Sequence, residues 1–227
     1  MSGGVALIIP AAGEGARMKS AVRKPFLDLG GRPVLHVVLE RCTAAAAMRQ
    51  VIVAVGPQDY RRHEALLAQL SRFGVTDVVE GGRTRTQTVS NALAALGDEV
   101  EVVLIHDAVR PFVRPEVVRG VIDLAARHGA AIAAVPVKDT IKSVKEGVIT
   151  STVQRCGLYL AQTPQGFRRE VITGVYRGLG GDDYTDDAAL VEAAGLEVRI
   201  VESTYDNFKI TTPEDLLFAR ALLALGA

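Results

Sequence analysis

The sequence has little cysteine, no excess of either charge and no long apolar run, and each shortage removes a class of protein. Its two cysteines, Cys42 and Cys156, stand far apart and show no metal-ligand spacing. Two thiols can pair, but reduced, mostly buried side chains are the expectation in a protein of the cytoplasm. Lys and Arg number 26 and Asp and Glu also 26, for a formal net charge of +0. Bulk attraction to nucleic acid or to an anionic membrane is therefore not expected, and an anion site has to come from local placement of Arg and Lys. The opening segment, MSGGVALIIPAAG, lacks the basic start of a signal peptide and its apolar run is short. No stretch approaches the roughly 20 apolar residues that span a bilayer. A cytoplasmic, membrane-free protein is the expectation. Repeats, long linkers and low-complexity tracts are also missing.

What is present is a large apolar complement, 48% of 227 residues. It is distributed as short Val- and Ile-rich runs: Val5 to Ile9, Val51 to Val55, a weaker Val75 to Val79, Val102 to Ile105, Ala130 to Val135 and Val198 to Val201. Runs this short read as strands buried on both faces. Helical patterns lie between them, as in Val89, Ala92, Leu93 and Leu96, which share one helix face. Thr84 with Gln87 has capping-box spacing, and Thr212-Pro213-Glu214-Asp215 sets a cap, a first-turn proline and first-turn acids. The alternation predicts a Rossmann-like three-layer αβα fold with a mainly parallel central sheet, in a single domain over residues 1–227. Ligands in such sheets bind beyond the carboxyl ends of the strands.

One segment breaks the alternation. Residues 138–155 (KDTIKSVKEGVITSTVQR) alternate polar and β-branched residues around Glu146-Gly147, a hairpin signature. A plain exposed hairpin and an arm reaching toward a partner subunit both satisfy this pattern.

The first strand runs directly into Pro10-Ala11-Ala12-Gly13-Glu14-Gly15-Ala16-Arg17-Met18. Small residues there allow backbone N–H groups to approach phosphate oxygens, and Arg17 adds charge. A dinucleotide fingerprint needs glycine where Met18 stands, and a Walker loop needs a GK[ST] that is absent, so both fail. A tight strand–helix turn remains compatible with the same residues. Lys19, Arg23 and Lys24, a basic cluster just downstream, favour the phosphate reading.

Together with Lys24-Pro25-Phe26 this string resembles the signature of nucleotide-sugar pyrophosphorylases and cytidylyltransferases. Further segments narrow the resemblance: Gly81-Gly82-Arg83-Thr84-Arg85, His106-Asp107-Ala108-Val109-Arg110-Pro111, Thr163-Pro164-Gln165, Thr185-Asp186-Asp187 and Asp206-Asn207-Phe208-Lys209. In this order, over essentially the whole chain, they are similar to the 2-C-methyl-D-erythritol 4-phosphate cytidylyltransferases. That family's pattern is usually Pro-Lys-Gln and an aromatic residue. Here it is Arg23-Lys24-Pro25-Phe26, which keeps the lysine and moves the proline.

The resemblance implies attack of a sugar-alcohol phosphate on the α-phosphorus of CTP with release of pyrophosphate. Such a reaction asks for charge stabilisation and in-line positioning more than for covalent chemistry. Arg17 and Lys24 are then the catalytic cations, although solvated surface positions are the usual fate of such residues. Pro10, Ala11, Ala12, Gly13 and Gly15 would line the CTP site, with Gly82, Arg83 and the Thr88 hydroxyl at the cytosine. Asp107 and Ala108 would complete it. Asp107, just past the fourth strand, would hold Mg²⁺ or another divalent metal against the triphosphate; alone, an Asp there also caps turns. His106 is left unassigned, and Arg85 is expected to brace its loop. The acceptor would meet Arg110, Thr185, Asp206 and Lys209, together with Thr140 and Arg155 from the arm of a homodimer partner. A surface ion pair is the plain alternative for Asp206 and Lys209. Thr163-Pro164-Gln165 is expected to form a positioning turn. D-ribitol-5-phosphate cytidylyltransferase is the sister activity, separated by a methyl branch worth only about 1–3 kcal/mol in an apolar pocket. A non-catalytic nucleotide-binding module and a dinucleotide oxidoreductase are the more distant alternatives.

Overall fold

In the computed structural model, residues 3–13, 22–62, 68, 70–178 and 184–226 are described. The apolar runs form the strands of one seven-stranded sheet in the order β3-β2-β1-β4-β8-β5-β9. These are β1 (Gly4–Ala11), β2 (Gln50–Val55), β3 (Asp77–Glu80), β4 (Val100–Ile105), β5 (Ala130–Pro136), β8 (Tyr159–Arg168) and β9 (Arg199–Glu202). Strand β1 pairs in parallel with β2 and with β4, and β2 with β3. Strand β8 alone runs antiparallel, between β4 and β5.

Alternation along each central strand divides the core into two layers. Leu7, Ile9, Val51, Val53 and Val55 face one side, against α1 (Val34–Ala45), α4 (Pro115–His128) and Ala219 of α7 (Pro213–Ala224). Ala6, Ile8, Ile52 and Ala54 face the other, against α3 (Arg85–Leu93), α5 (Arg169–Arg177) and α6 (Asp187–Ala193). A short α2 (Pro57–Arg62) follows β2. Among the described residues no helix is long and apolar enough to cross a membrane.

Three expectations are corrected. The edge strands β3 and β9 are not buried on both faces; they are half-buried or exposed, lying at the two margins of the sheet where the helical layers cover less. Thr163-Pro164-Gln165 is no turn but the middle of β8, whose Thr163–Pro164 bond is cis. The proline sits where the β5–β8 register shifts, the kind of place a strand tolerates a missing N–H. At α3 the Thr84 hydroxyl accepts from Gln87 N–H as expected, but Gln87 Oε1 reaches back to Arg83 N–H rather than to Thr84. At α7 the full box forms, with the Asp215 carboxylate accepting from Thr212 N–H.

The hairpin is present as β6 (Ile141–Lys145) and β7 (Val148–Val153), a separate two-stranded sheet. Glu146 and Gly147 both have positive φ, 50° and 80°, the paired values of a type I′ turn. Its Val144, Val148 and Ile149 are exposed.

Candidate active site

Strand β1 has β2 on one side and β4 on the other, so successive connections leave in opposite directions and open a crevice beyond its carboxyl end. Pro10, Ala11, Ala12 and Gly13 from β1, Gly82 to Arg85 and Thr88 from the β3–α3 junction, and Asp107 to Val109 from the end of β4 converge there, with Lys24, Pro25 and Lys209. The Gly81-Gly82 turn is shaped by close approach: a Cβ on Gly81 would stand 2.2 Å from Ala12 Cβ and 3.2 Å from Thr88 Oγ1. The Thr88 hydroxyl donates to Thr84 C=O (2.8 Å) and accepts from Gly82 N–H (3.1 Å), fixing that wall.

Lys24 is buried and its Nζ donates to Thr211 C=O at 2.9 Å, just ahead of the capped helix α7. The segment leading into the C-terminal helix therefore holds the lysine at the cleft.

Asp107 is the electrostatic centre. Its Oδ2 lies 3.0 Å from Lys209 Nζ and 3.2 Å from Arg110 Nε, and its Oδ1 lies 3.8 Å from Arg85 Nε. Burial alone would raise its pKa, but Lys209, Arg85 and Arg110 outweigh that and hold it well below the usual carboxylate range. The carboxylate is thus an anion at neutral pH, braced by three cations.

A buried chain of hydrogen bonds aims this centre. Asp107 N–H donates to Thr163 Oγ1 (3.0 Å), Thr163 lies 3.1 Å from His106 Nδ1, and His106 Nε2 lies 3.0 Å from Arg110 C=O. A carbonyl only accepts, so Nε2 carries the proton, Nδ1 accepts, and the Thr163 hydroxyl donates to it. Burial lowers the His106 pKa to about 4, which keeps the ring neutral. His106 is therefore a core residue that orients its neighbours.

A second cleft adjoins the first across Arg85, Asp107 and Lys209, and it adds Arg110, Gln162, Thr163, Gln165, Thr185 and Asp186. Arg110 is held by Asn207 C=O at 2.9 Å as well as by Asp107. Arg85 also bonds the fully buried Asp187 at 2.6 Å, so it spans both clefts instead of bracing one loop. Gln165 joins that wall, donating to Asp186 and accepting from Asp187 and Ala188 N–H.

The structure thus brings together Pro10, Ala11, Ala12, Gly13, Lys24, Gly82, Arg83, Thr88, Asp107, Ala108 and Lys209 in the first cleft, and Arg110 and Thr185 beside it in the second. Asp206 lines neither cleft: its carboxylate bonds Thr204 and Arg114 Nη2, the latter at 3.1 Å. Thr140 and Arg155 flank the exposed hairpin and line neither cleft. Arg17 and Gly15 lie outside the described residues. Arg85, Thr163 and Gln165 are the site-wall residues that motif reading undervalued, since each sat within a quoted motif but carried no distinguishing spacing.

No three His, Cys, Asp or Glu side chains gather into a cation cage among the described residues. A hard divalent ion held by one carboxylate and by substrate phosphates needs no such cage. Among the described residues, Asp107 is the carboxylate that lines both clefts.

Residues 5–225 match the family model for 2-C-methyl-D-erythritol 4-phosphate cytidylyltransferase. A protein of that name from Geobacillus kaustophilus is 43% identical over 225 residues, 96% of each chain, and one from Pelotomaculum thermopropionicum is 41% identical over 96% of this chain and 94% of its own. Among solved structures, the 2-C-methyl-D-erythritol 4-phosphate cytidylyltransferase of Thermus thermophilus superposes with a TM-score of 0.80 at 34% identity, covering 99% of this chain and 100% of its own. The 4-diphosphocytidyl-2C-methyl-D-erythritol synthase of Anaerococcus prevotii gives 0.84 at 30% identity, again over 99% and 100%.

Proposed function

The chain belongs to the 2-C-methyl-D-erythritol 4-phosphate cytidylyltransferase family, and from that premise we propose that the first cleft holds CTP and the second the acceptor's phosphate. It is a nucleotidyltransferase of isoprenoid precursor biosynthesis. In this reading the acceptor phosphate attacks the α-phosphorus of CTP, giving 4-diphosphocytidyl-2-C-methyl-D-erythritol and pyrophosphate. The observation that carries it is the shared wall of the two clefts: Asp107, Arg85 and Lys209 belong to both. A nucleotide and an acceptor placed on either side of that wall would meet at the charges gathered there.

Each residue then has a task. Small residues Ala11, Ala12 and Gly13 and the Gly82 turn let backbone N–H and C=O groups reach the base and phosphates. Lys24, anchored from α7, contributes positive charge at the phosphates, and Arg17 would do the same. Arg110 and Lys209 offer charge to the acceptor phosphate, and Thr185 a hydroxyl. Asp107 would hold Mg²⁺, and the ion when bound would neutralise triphosphate charge. Thr140 and Arg155, which line neither cleft of their own chain, suit a neighbouring chain's acceptor site in a homodimer joined through the arm. Asp206, paired with Arg114, would need to leave that pair to meet the acceptor.

Lys24→Ala and Arg17→Ala test the assignment. Each is expected to lower pyrophosphate release much more than CTP affinity measured by calorimetry. Near-normal turnover in both variants would remove them from the chemistry. Titrating Mg²⁺ into enzyme with CTP should tighten binding in the wild type and not in Asp107→Asn; equal tightening in both would take the metal away from Asp107.

A further inference from the structure

The glycine-rich segment leaves β1 at Ala12 and rejoins the described chain before Arg23, and these two ends touch. Arg23 Nη1 donates to Ala12 C=O at 2.9 Å, while its Nε lies 3.0 Å from Asp59 Oδ2 in α2. Both side chains of the ion pair are largely buried, 20% and 6% exposed. Gly56 makes room for the guanidinium: a Cβ there would stand 2.5 Å from Arg23 Nη1. Asp59 N–H in turn donates to Gly56 C=O at 3.0 Å, so cradle and carboxylate form one unit.

Arg23 does not itself line the nucleotide cleft, but Ala12 does. Ala12 also packs so tightly on Gly81 that a Cβ at Gly81 would be only 2.2 Å from its own. Two contacts thus join Arg23 to both walls of the cleft. We infer that Arg23 is a positioning residue, which pins the start and end of the phosphate segment to each other and to α2 and so sets the affinity of the nucleotide cleft. The task needs a planar fork that reaches two acceptors at once, which guanidinium provides and ammonium does not. Asp59 keeps the fork aimed, and without it Arg23 would be a buried edge charge free to turn away.

The inference rests on the first cleft being the CTP site. Its test measures CTP Kd by calorimetry without acceptor, and KM for CTP and for the acceptor with kcat by pyrophosphate release, in Arg23→Ala, Arg23→Lys and Gly56→Ala. Thermal melting of each variant runs alongside. Gly56→Ala displaces the guanidinium without removing its charge and meets only the far end of a flexible side chain, so it reports even if Arg23→Ala fails to fold. Expected is a rise of roughly tenfold or more in CTP Kd and KM for all three, the size of one lost charged hydrogen bond, with acceptor KM unchanged and no rescue by lysine. A CTP Kd within twofold of wild type in folded Gly56→Ala and Arg23→Ala would overturn the inference. Full rescue by lysine, or an equal loss at both substrates, would do the same. If the wild-type protein itself does not bind CTP, it is the CTP assignment that fails.

Discussion

Asp107 shows how much one side chain can organise. It was legible in the sequence because it ends an apolar run, yet its three cations come from Arg85, Arg110 and Lys209, up to about a hundred positions away. Periodicity cannot report such convergence; only the motifs' order along the chain hinted at it. Replacing Asp107 by Asn removes the charge and leaves three cations facing one another. Turnover is expected to fall by about 100-fold or more, the scale of losing a preorganised electrostatic group, read as kcat/KM from pyrophosphate release. The two cysteines offer a simpler check. Burial pushes the Cys42 thiol up to about 12, whereas Cys156, against the expectation of buried thiols, is exposed beyond the hairpin's second strand. Native protein should therefore react with a thiol reagent at one site quickly and at the second only on unfolding; two equally fast thiols would contradict the packing around Cys42.

At the scale of elements, the sequence announced strands that are apolar and helices that carry caps. Strand β8 was hidden because its centre, Gln162-Thr163-Pro164-Gln165, is polar and contains proline, and its register is set by β4 and β5 on either side. The polar residues are there because that strand supplies the site: Thr163 and Gln165 bond His106 and the start of α6. The cap of α7 was legible and also serves the site, since it directly follows the Thr211 carbonyl that holds Lys24. Asp215→Ala is expected to cost about 1 kcal/mol in urea unfolding, a typical cap loss. The junction of β4 and β8 predicts a pH effect. His106 binds its proton at about 4 in the fold but at its ordinary 6.5 when unfolded. Between these values the unfolded chain holds more protons, so stability falls as pH drops from 6.5 toward 4. The loss over that window should be roughly 2–3 kcal/mol, and a His106→Gln variant, which can still donate and accept, should lack it. Equal pH slopes for the two proteins would contradict a buried neutral His106.

The whole molecule follows from one feature of chain path: connections diverge on either side of β1, and Lys24, Arg85, Asp107, Arg110 and Lys209 gather in the clefts beyond its carboxyl end. The three-layer arrangement was readable from strand–helix alternation, and so was the hairpin, whose Glu146-Gly147 turn announced itself. What alternation could not supply was the placement of the residues proposed for the acceptor. Thr185 and Arg110 reach the second cleft of their own chain, while Thr140 and Arg155 stand beside the exposed hairpin. Our proposal that they serve a partner predicts that mixing Arg155→Ala protein with an inactive Lys24→Ala protein restores part of the activity, since one mixed site would then be intact. No recovery above the separate variants would confine each site to its own chain.

Two adjoining clefts that join CTP to a methyl-branched sugar-alcohol phosphate should discriminate between acceptors at the second. The most direct test is a comparison of kcat/KM for pyrophosphate release from CTP with 2-C-methyl-D-erythritol 4-phosphate and with D-ribitol 5-phosphate under identical metal and salt. The account predicts clear preference for the methylerythritol acceptor, by roughly tenfold or more for the methyl-binding difference. Equal or better turnover of ribitol phosphate, or none with either, would contradict it.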